Sequence, residues 1–256
     1  MSDKSSWYDS RSAEAQYIEA GWGDFFSPLN EQVVGNRAYA LGHRTVEFYK
    51  GVVNIVAAHV ERPRTICDIG SATGRVAWEL SHKYPSARIL ACEPSRRLSD
   101  AAEAIVLGHD VPEFVPLPAA NARGFDFTPL PSSLREIASK PSNVTFFACL
   151  AEDVPRPSRH FDLITCLNVV DRHPVPAELV KTLKDLLAVE GYLVLSSPLD
   201  WKDDITAPRD RVTDLRHLFS ADFNILRSVD QEYQIRKNDR YYVSYQAQVV
   251  VAQRVK

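Results

Sequence analysis

The chain has 256 residues, 45% hydrophobic and 25% charged, which suits one large α/β domain or a core with a small appendage. Its formal net charge of −3 excludes a general field that would draw in nucleic acid or an anionic membrane. No apolar run reaches the length of a membrane span and residues 1–6 are polar, unlike a secretory leader, so the sequence reads as cytoplasmic.

Residues 1–60 read as an N-terminal helical cap over the open edge of a crevice, with a passive packing extension as the other reading. Residues 12–20 have helical spacing and end at Gly21, a residue suited to the C′ position. Trp22, Phe25 and Phe26 follow in a loop. A second helix pattern runs over 35–59, with Leu41, Phe48, Val52 and Ile55 on one stripe, weakened by Gly42 and Gly51.

Residues 61–256 alternate strand and helix, which implies a doubly wound parallel sheet. Strands are predicted at 65–69, 87–92, 144–149, 161–166 and 192–196. Helices are predicted at 74–84, stopped by Pro85, at 96–107, and at 176–189, opened by Pro176 in the favoured first position. An insert over 110–141 is rich in proline, with a short helix at 133–139. A weak helix near 209–219 precedes two long strand patterns, 223–235 and 241–252, separated by Lys237-Asn238-Asp239. A hairpin after five alternating units gives a mostly parallel seven-stranded sheet with one antiparallel strand. That is a Rossmann-like layout, the class I methyltransferase fold. Cys67, Cys92, Cys149 and Cys166 fall in predicted strands without ligand spacing. They read as buried hydrophobes, not as a disulfide frame or a metal site.

The stretch 64–75, RTICDIGSATGR, organises this layout. Asp68, Gly70, Ser71 and Gly74 follow D-x-G-x-x-x-G at the end of a short apolar run, and a helix opens at once. A strand that ends in such a turn gathers several backbone N–H groups at one point, and a Cβ there would keep a ligand from the backbone. Glu93 closes the next apolar run, at the distance where such folds hold ribose hydroxyls. The dinucleotide fingerprint needs glycine where this chain has Ala72. Asp68 would repel a pyrophosphate but suits an ammonium. S-adenosylmethionine offers an ammonium and a ribose diol and has no phosphate, so it is the expected cofactor.

Ligands of open α/β sheets bind beyond the carboxyl ends of the strands. Pro94, Ala151 and Glu152 therefore fall by the adenosine, although Glu152 reads equally well as solvated surface, and Asn168 falls by the methionine end. Asp171 is the candidate catalytic group. A carboxylate on the far N–H of an imidazole acceptor would fix its tautomer and stabilise the charge that develops on methylation. The alternative is that Asp171 pairs with Arg172 or caps a helix. Trp201, Tyr233, Tyr241, Tyr242 and Tyr245 could line an acceptor pocket, but strand alternation sends half of them to packing. His173, before Pro174, reads as a loop residue.

Several stretches together carry a family likeness: Tyr8…Tyr17…Trp22-Gly23, CDIGSATGR, NVTFFACLAEDVP, FDLITCLNVVDRHPVP, GYLVLSSPLDW and IRKNDRYYVSY. Across almost its whole length the chain resembles the methyltransferase domain of ovothiol biosynthesis. That resemblance implies methylation of the π nitrogen of a thiol-histidine with S-adenosylmethionine, and a separate sulfoxide synthase supplying the acceptor. CLNVVDR and NDRYYV are also similar to animal protein-histidine π-nitrogen methyltransferases, which implies imidazole contacts at Asn168, Asp171 and Tyr242 and a peptide acceptor as the alternative. The substrate set is then Asn168, Asp171, Arg172, Trp201 and Tyr242, with Asp171 and Tyr242 catalytic. Cys149-Leu150 replaces the Gly-Asp pair of the ovothiol pattern, which shifts the adenine contact to Glu152. Pro198-Leu199-Asp200-Trp201 lacks the usual aromatic before the tryptophan. A non-catalytic binding subunit is the further alternative, and the missing Asn/Asp-Pro-Pro-aromatic motif argues against a nucleic-acid acceptor.

Overall fold

The structure, a computed structural model, describes residues 8–25, 43–108, 114–121, 124–131, 140–155, 160–238 and 241–256. Nine strands are assigned among them: β1 (Thr65–Ile69), β2 (Arg88–Cys92), β3 (Phe114–Asn121), β4 (Gly124–Pro131), β5 (Val144–Phe147), β6 (Phe161–Leu167), β7 (Leu187–Ser197), β8 (Phe223–Asn238) and β9 (Tyr241–Arg254). The helices are α1 (Arg11–Trp22), α2 (His43–Ala57), α3 (Arg75–Lys83), α4 (Arg96–Leu107) and α5 (Pro176–Leu186).

Seven strands form one sheet in the order β5-β2-β1-β6-β7-β9-β8. The first five pair parallel, while β9 pairs antiparallel with both β7 and β8. The expected single antiparallel strand is therefore β9. The order reverses between β1 and β6, which places the switch point beyond Ile69 and Leu167. Period-two alternation divides the core between the two faces. Ile66 and Val194 pack with Phe48, Val52 and Leu80 of the helices on one face. Cys67, Ile69, Leu193 and Leu195 pack with Leu179, Leu183 and Leu186 of α5 on the other.

Several features differ from the sequence reading. The insert is not irregular throughout, because β3 and β4 pair as an antiparallel hairpin. Pro116 stands opposite Pro129 and Phe114 opposite Pro131. The prolines thus share the same parity, and their missing N–H groups fall at pairs that exchange no hydrogen bond. The predicted helix at 133–139 lies outside the described residues, as do Phe26, Leu41, Gly42 and the start of the second predicted helix. The weak helix near 209–219 is two short 3₁₀ turns, Pro208–Asp210 and Leu215–Leu218. The helix from Pro176 stops at Leu186, where Leu187 pairs with Phe161 and starts β7 early.

Gly21 does not end α1, which runs on to Trp22. A Cβ on Gly21 would come within 3.0 Å of Thr73 Oγ1, so the glycine lets α1 close onto the turn after β1. Trp22 Nε1 donates to Thr73 O at 2.9 Å, and Thr73 Oγ1 donates to Tyr17 O at 3.1 Å. Arg75, only 2% exposed, locks the same contact. It grips Asp24 through two bonds of 2.7 and 2.9 Å, Gly21 O at 2.7 Å and Glu79 Oε1 at 2.8 Å. The rings of Trp22, Phe25 and Trp78 surround its guanidinium at 5.2–5.5 Å. A second tie is the buried pair Arg236 Nε–Glu19 Oε1 at 2.6 Å, between β8 and α1. A third runs from Ser95 Oγ to Tyr8 O and Asp9 Oδ1, at 3.1 and 2.7 Å. Residues 8–25 are thereby fixed across the carboxyl ends of the strands.

Candidate active site

Beyond those strand ends lies a cavity of about 550 Å³. This falls in the roughly 300–1,000 Å³ span of small-molecule sites. The turn after β1 forms one wall. Gly70 has φ +70°, and a Cβ there would overlap Val169 Cγ2 in the loop after β6. The glycine is therefore demanded by the backbone conformation and by the neighbouring loop, and not by ligand approach alone. Gly74, at φ +81°, lies outside the cavity lining: its bare face meets Val106, Ala102 and Phe146 at 3.0–3.1 Å. There it serves packing of α3 on α4 and β5.

Two carboxylates stand at this end. Asp68 Oδ1 accepts from Thr165 Oγ1 at 2.7 Å, while its buried Oδ2 has no hydrogen-bond partner. Burial pushes its carboxyl up to about 7, against an opposing pull from the Thr165 bond, with a further push from Glu93 and a smaller pull from the Ala77 amide. Glu93 accepts from Ala72 N at 3.0 Å and Ser95 N at 2.9 Å, leaving lone pairs on both oxygens. Burial lifts it to about 6 against those two bonds. Ser71 Oγ is likewise buried without a partner. Ala151 and Glu152 sit in a 3₁₀ turn after β5, and Glu152 Oε1 meets His173 Nε2 at 3.2 Å, tying together the loops after β5 and β6. Asn168, at φ +58°, is held by Ser196: the Ser196 hydroxyl donates to Asn168 Oδ1 at 3.0 Å.

Asp171 follows in the 3₁₀ turn Val170–Arg172. Its side chain is 1% exposed and lines the cavity. Arg172 Nη1 lies 3.0 Å from Asp171 Oδ2 but directs its N–H bonds to the backbone oxygens of Asp171 and Asp200, at 3.2 and 2.6 Å. Neither carboxylate oxygen of Asp171 accepts a well-directed hydrogen bond. Burial raises its carboxyl above the usual range, and the Arg172 charge and the nearby Ser197 hydroxyl pull it part of the way back.

A profile of a methyltransferase domain matches residues 41–229. The chain belongs to this methyltransferase family. S-adenosylmethionine is the cofactor of such a domain, and the donor set fits it: an orphaned acid, a turn of backbone amides and a second acid one strand away. Among solved structures, the chain is similar to the N-methyltransferase NodS of Bradyrhizobium japonicum WM9 in complex with S-adenosyl-L-homocysteine. That match has TM-score 0.56 and 11% identity, and covers 96% of this chain and 100% of the other. It is also similar to magnesium protoporphyrin IX methyltransferase of Synechocystis PCC 6803 with bound S-adenosylmethionine, at TM-score 0.52, 15% identity, 96% and 97% coverage. A third is a SAM-dependent methyltransferase of Aquifex aeolicus, at TM-score 0.52, 12% identity, 95% and 98% coverage. At such identities the likeness fixes the fold and not the acceptor. No curated protein matches significantly.

Of the residues expected at the methyltransferase site, Asp68, Gly70, Ser71, Glu93, Pro94, Ala151, Glu152, Asn168, Asp171 and Arg172 line the cavity. Trp201 and Tyr242 do not. Trp201 Nε1 donates instead to Val212 O at 2.9 Å, which turns the indole towards the following loop. Tyr242 stands opposite Arg236 in the hairpin, whereas Tyr245 stands opposite Tyr233, and it is the latter pair that faces the cavity. Their rings stack at 5.0 Å and 16°. Burial raises the hydroxyl pKa of both, so each stays neutral. The sequence reading did not anticipate Tyr49 in α2 or Thr45 before it, nor Lys202 and Lys237, all of which line the cavity. Tyr8 and Tyr17 line it too, although they entered only as part of the family likeness. Among the described residues no helix is long and apolar enough to cross a membrane, and no group of three His, Cys, Asp or Glu could hold a metal.

Proposed function

We propose that this methyltransferase methylates the π nitrogen of a histidine imidazole, with thiol-histidine as the acceptor. One observation carries the reading: the carboxylate of Asp171 is buried at the cavity wall, where Arg172 pairs with it in charge at 3.0 Å but neither oxygen accepts a well-directed hydrogen bond. Such a group costs free energy unless a ligand supplies the donor. An imidazole N–H has the required chemistry.

In this reading Asp68 takes the ammonium of the cofactor, Ser71 and the turn amides take its polar tail, and Glu93 takes its ribose. Pro94, Ala151 and Glu152 would flank the adenine, and Asn168 the methionine end, since all four line the cavity. S-adenosylmethionine supplies, when bound, an electrophilic methyl on sulfur, whose C–S electron pair stays with sulfur as the new N–C bond forms. Asp171 accepts the τ N–H of the acceptor and so keeps the lone pair on the π nitrogen. As that nitrogen bonds to carbon the ring becomes cationic, and the fixed carboxylate stabilises the charge. The τ proton then passes to Asp171, whose raised pKa suits it as acceptor, and the product leaves as a neutral ring. The stacked Tyr233 and Tyr245 offer a π face to the developing cation.

The test is turnover with methyl-labelled cofactor against histidine, thiol-histidine and histidine-containing peptides, followed by NMR location of the label. The expected result is label on the π nitrogen of thiol-histidine. Label on a peptide histidine transfers the reading to a protein acceptor. Cofactor binding with no transfer to any imidazole overturns it.

A further inference from the structure

We propose that Cys92 and Cys149 form an oxidisable thiol pair in the cavity wall, which a peroxide converts to a disulfide whose closure weakens cofactor binding. The second half rests on the reading of Glu93 and the 3₁₀ turn Ala151–Asp153 as the ribose and adenine end.

Three thiols meet where β1, β2 and β5 end. Cys67 and Cys92 belong to the core cluster against which Cys149 packs. Ile69 stands opposite Cys92, and Cys67 lies two residues before Ile69, so both thiols share one face of the sheet. On the other side of β2, Phe147 stands opposite Cys92, and Cys149 follows two residues later. Cys67 and Cys149 each donate a thiol hydrogen bond to the Cys92 sulfur. All three are free cysteines, and Cys92 and Cys149 line the cavity whereas Cys67 does not.

The backbone decides which pair closes. A disulfide needs its sulfurs about 2 Å apart, closer than any thiol hydrogen bond, so one residue must move. Cys67 is held in β1, paired with Leu90 on one side and Ile164 on the other. Cys149 stands past the last paired residue of β5 and is tied back only by its own N–H to Phe147 O at 3.1 Å. It can approach Cys92 without breaking the ladder.

The thiols also divide the chemistry. The bond from Cys67 holds the Cys92 thiol below its usual range, helped by Cys149 and opposed by burial and the charges of Asp68 and Glu93. Burial and the contact with Cys92 push Cys149 up to about 12. Cys92 is therefore the thiolate of the pair, and the thiolate is the nucleophile. Its sulfur attacks hydrogen peroxide, the O–O bond breaks, and hydroxide leaves as water, giving a sulfenic acid on Cys92. Cys149 then loses its proton, and its sulfur displaces hydroxide from Cys92 to form the S–S bond and a second water. Two thiols lose two electrons, and one peroxide gains them. Glu93 adjoins Cys92, and Ala151 and Glu152 follow Cys149 by two and three residues, so closure draws the loop after β5 onto the end of β2. The space between the ribose acid and the adenine turn narrows.

The test is calorimetry of S-adenosyl-L-homocysteine on the full chain before peroxide, after peroxide, and after dithiothreitol. It is run on wild type, Cys67→Ser and Cys149→Ser, each compared with its own reduced form, with bonds mapped by mass spectrometry of unreduced tryptic peptides. Wild type and Cys67→Ser should form the Cys92–Cys149 bond and lose affinity by about tenfold or more, restored by dithiothreitol. Cys149→Ser should show no such reversible loss. Ligand bound beforehand should slow the bond in wild type, because coupling between two events is reciprocal. A Cys67–Cys92 bond in wild type, no bond at all, or an equal loss in Cys149→Ser overturns the proposal. So does a Cys92–Cys149 bond with unchanged affinity. Reduced Glu93→Gln separates that last result from failure of the ribose reading. Weakened binding there keeps the reading and refutes the disulfide effect alone, whereas binding equal to wild type removes both.

Discussion

Asp9, Asp68 and Glu93 wall the cavity where β1 and β2 end, whereas Arg172, Lys202 and Lys237 wall it towards β8. In the proposed reading the first end takes the cofactor and the second the acceptor. They also differ in how they are built. The cofactor end comes from one strand-turn-helix-strand unit and its neighbours, while the acceptor end is assembled from α1, α2, two loops and the closing hairpin. Burial works differently in each. Beside β1 and β2 it lifts two acids, Asp68 and Glu93, that keep lone pairs open to further donors. Around Asp171 it keeps tyrosines neutral and strips water from a carboxylate balanced by Arg172.

The largest expected effect separates the ends outright. Gly70→Val combines a β-branched residue at φ +70° with overlap onto Val169. Calorimetry should find S-adenosyl-L-homocysteine binding weakened by about a hundredfold or more, since about 3 kcal/mol or more is at stake. Affinity near wild type would mean that the turn does not shape the cofactor end.

Arg75→Met strikes the clamp between the two ends. Removing the buried partner of Asp24 and Glu79 should cost about 3 kcal/mol in urea unfolding. It should also raise acceptor KM more than it weakens cofactor binding, because α1 carries acceptor-side residues. A loss below about 0.5 kcal/mol would show that the clamp is idle.

Asp68→Asn tests the electrostatics of the cofactor end alone. In the cofactor-free protein the folded carboxyl titrates at about 7 and the unfolded one near 4. Between these values the folded state holds a proton that the unfolded state has lost, so stability falls as pH rises from about 4 to 7. The variant should flatten that slope, leaving the part contributed by the other raised acids, Glu93 up to about pH 6 together with Asp171 and Glu19. Cofactor affinity in wild type should rise through the same window, because the cation needs the deprotonated acid. An unchanged stability slope in the variant would contradict the assignment. The smallest effect belongs to Tyr242→Phe, whose ring lies outside the cavity lining. Its kcat/KM should stay within about twofold of wild type, a change of about 0.4 kcal/mol. A large loss would return Tyr242 to the acceptor site.

The cofactor end was legible because strand, glycine turn, helix and second acid lie within some thirty residues, where spacing alone orders them. Asp171 was legible for the same reason, as a group just past a strand end. The acceptor end was not, because its residues meet only through the fold. Tyr49 looks like any aromatic beside an apolar helical stripe, and Lys202 and Lys237 look like solvated charges. Strand alternation predicted that only some hairpin tyrosines would face inwards but could not choose Tyr245 over Tyr242. The β3–β4 hairpin was hidden by prolines, whose tolerance depends on which pairs exchange hydrogen bonds.

The most direct test of the account is Asp171→Asn, which keeps the shape of the side chain and removes its charge. Cofactor affinity by calorimetry and kcat on thiol-histidine should be measured on the same preparation. The account predicts cofactor affinity within about twofold and kcat reduced by about a hundredfold or more, the scale on which a fixed charge stabilises a developing one. A kcat close to wild type, with the label still on the π nitrogen, would contradict it.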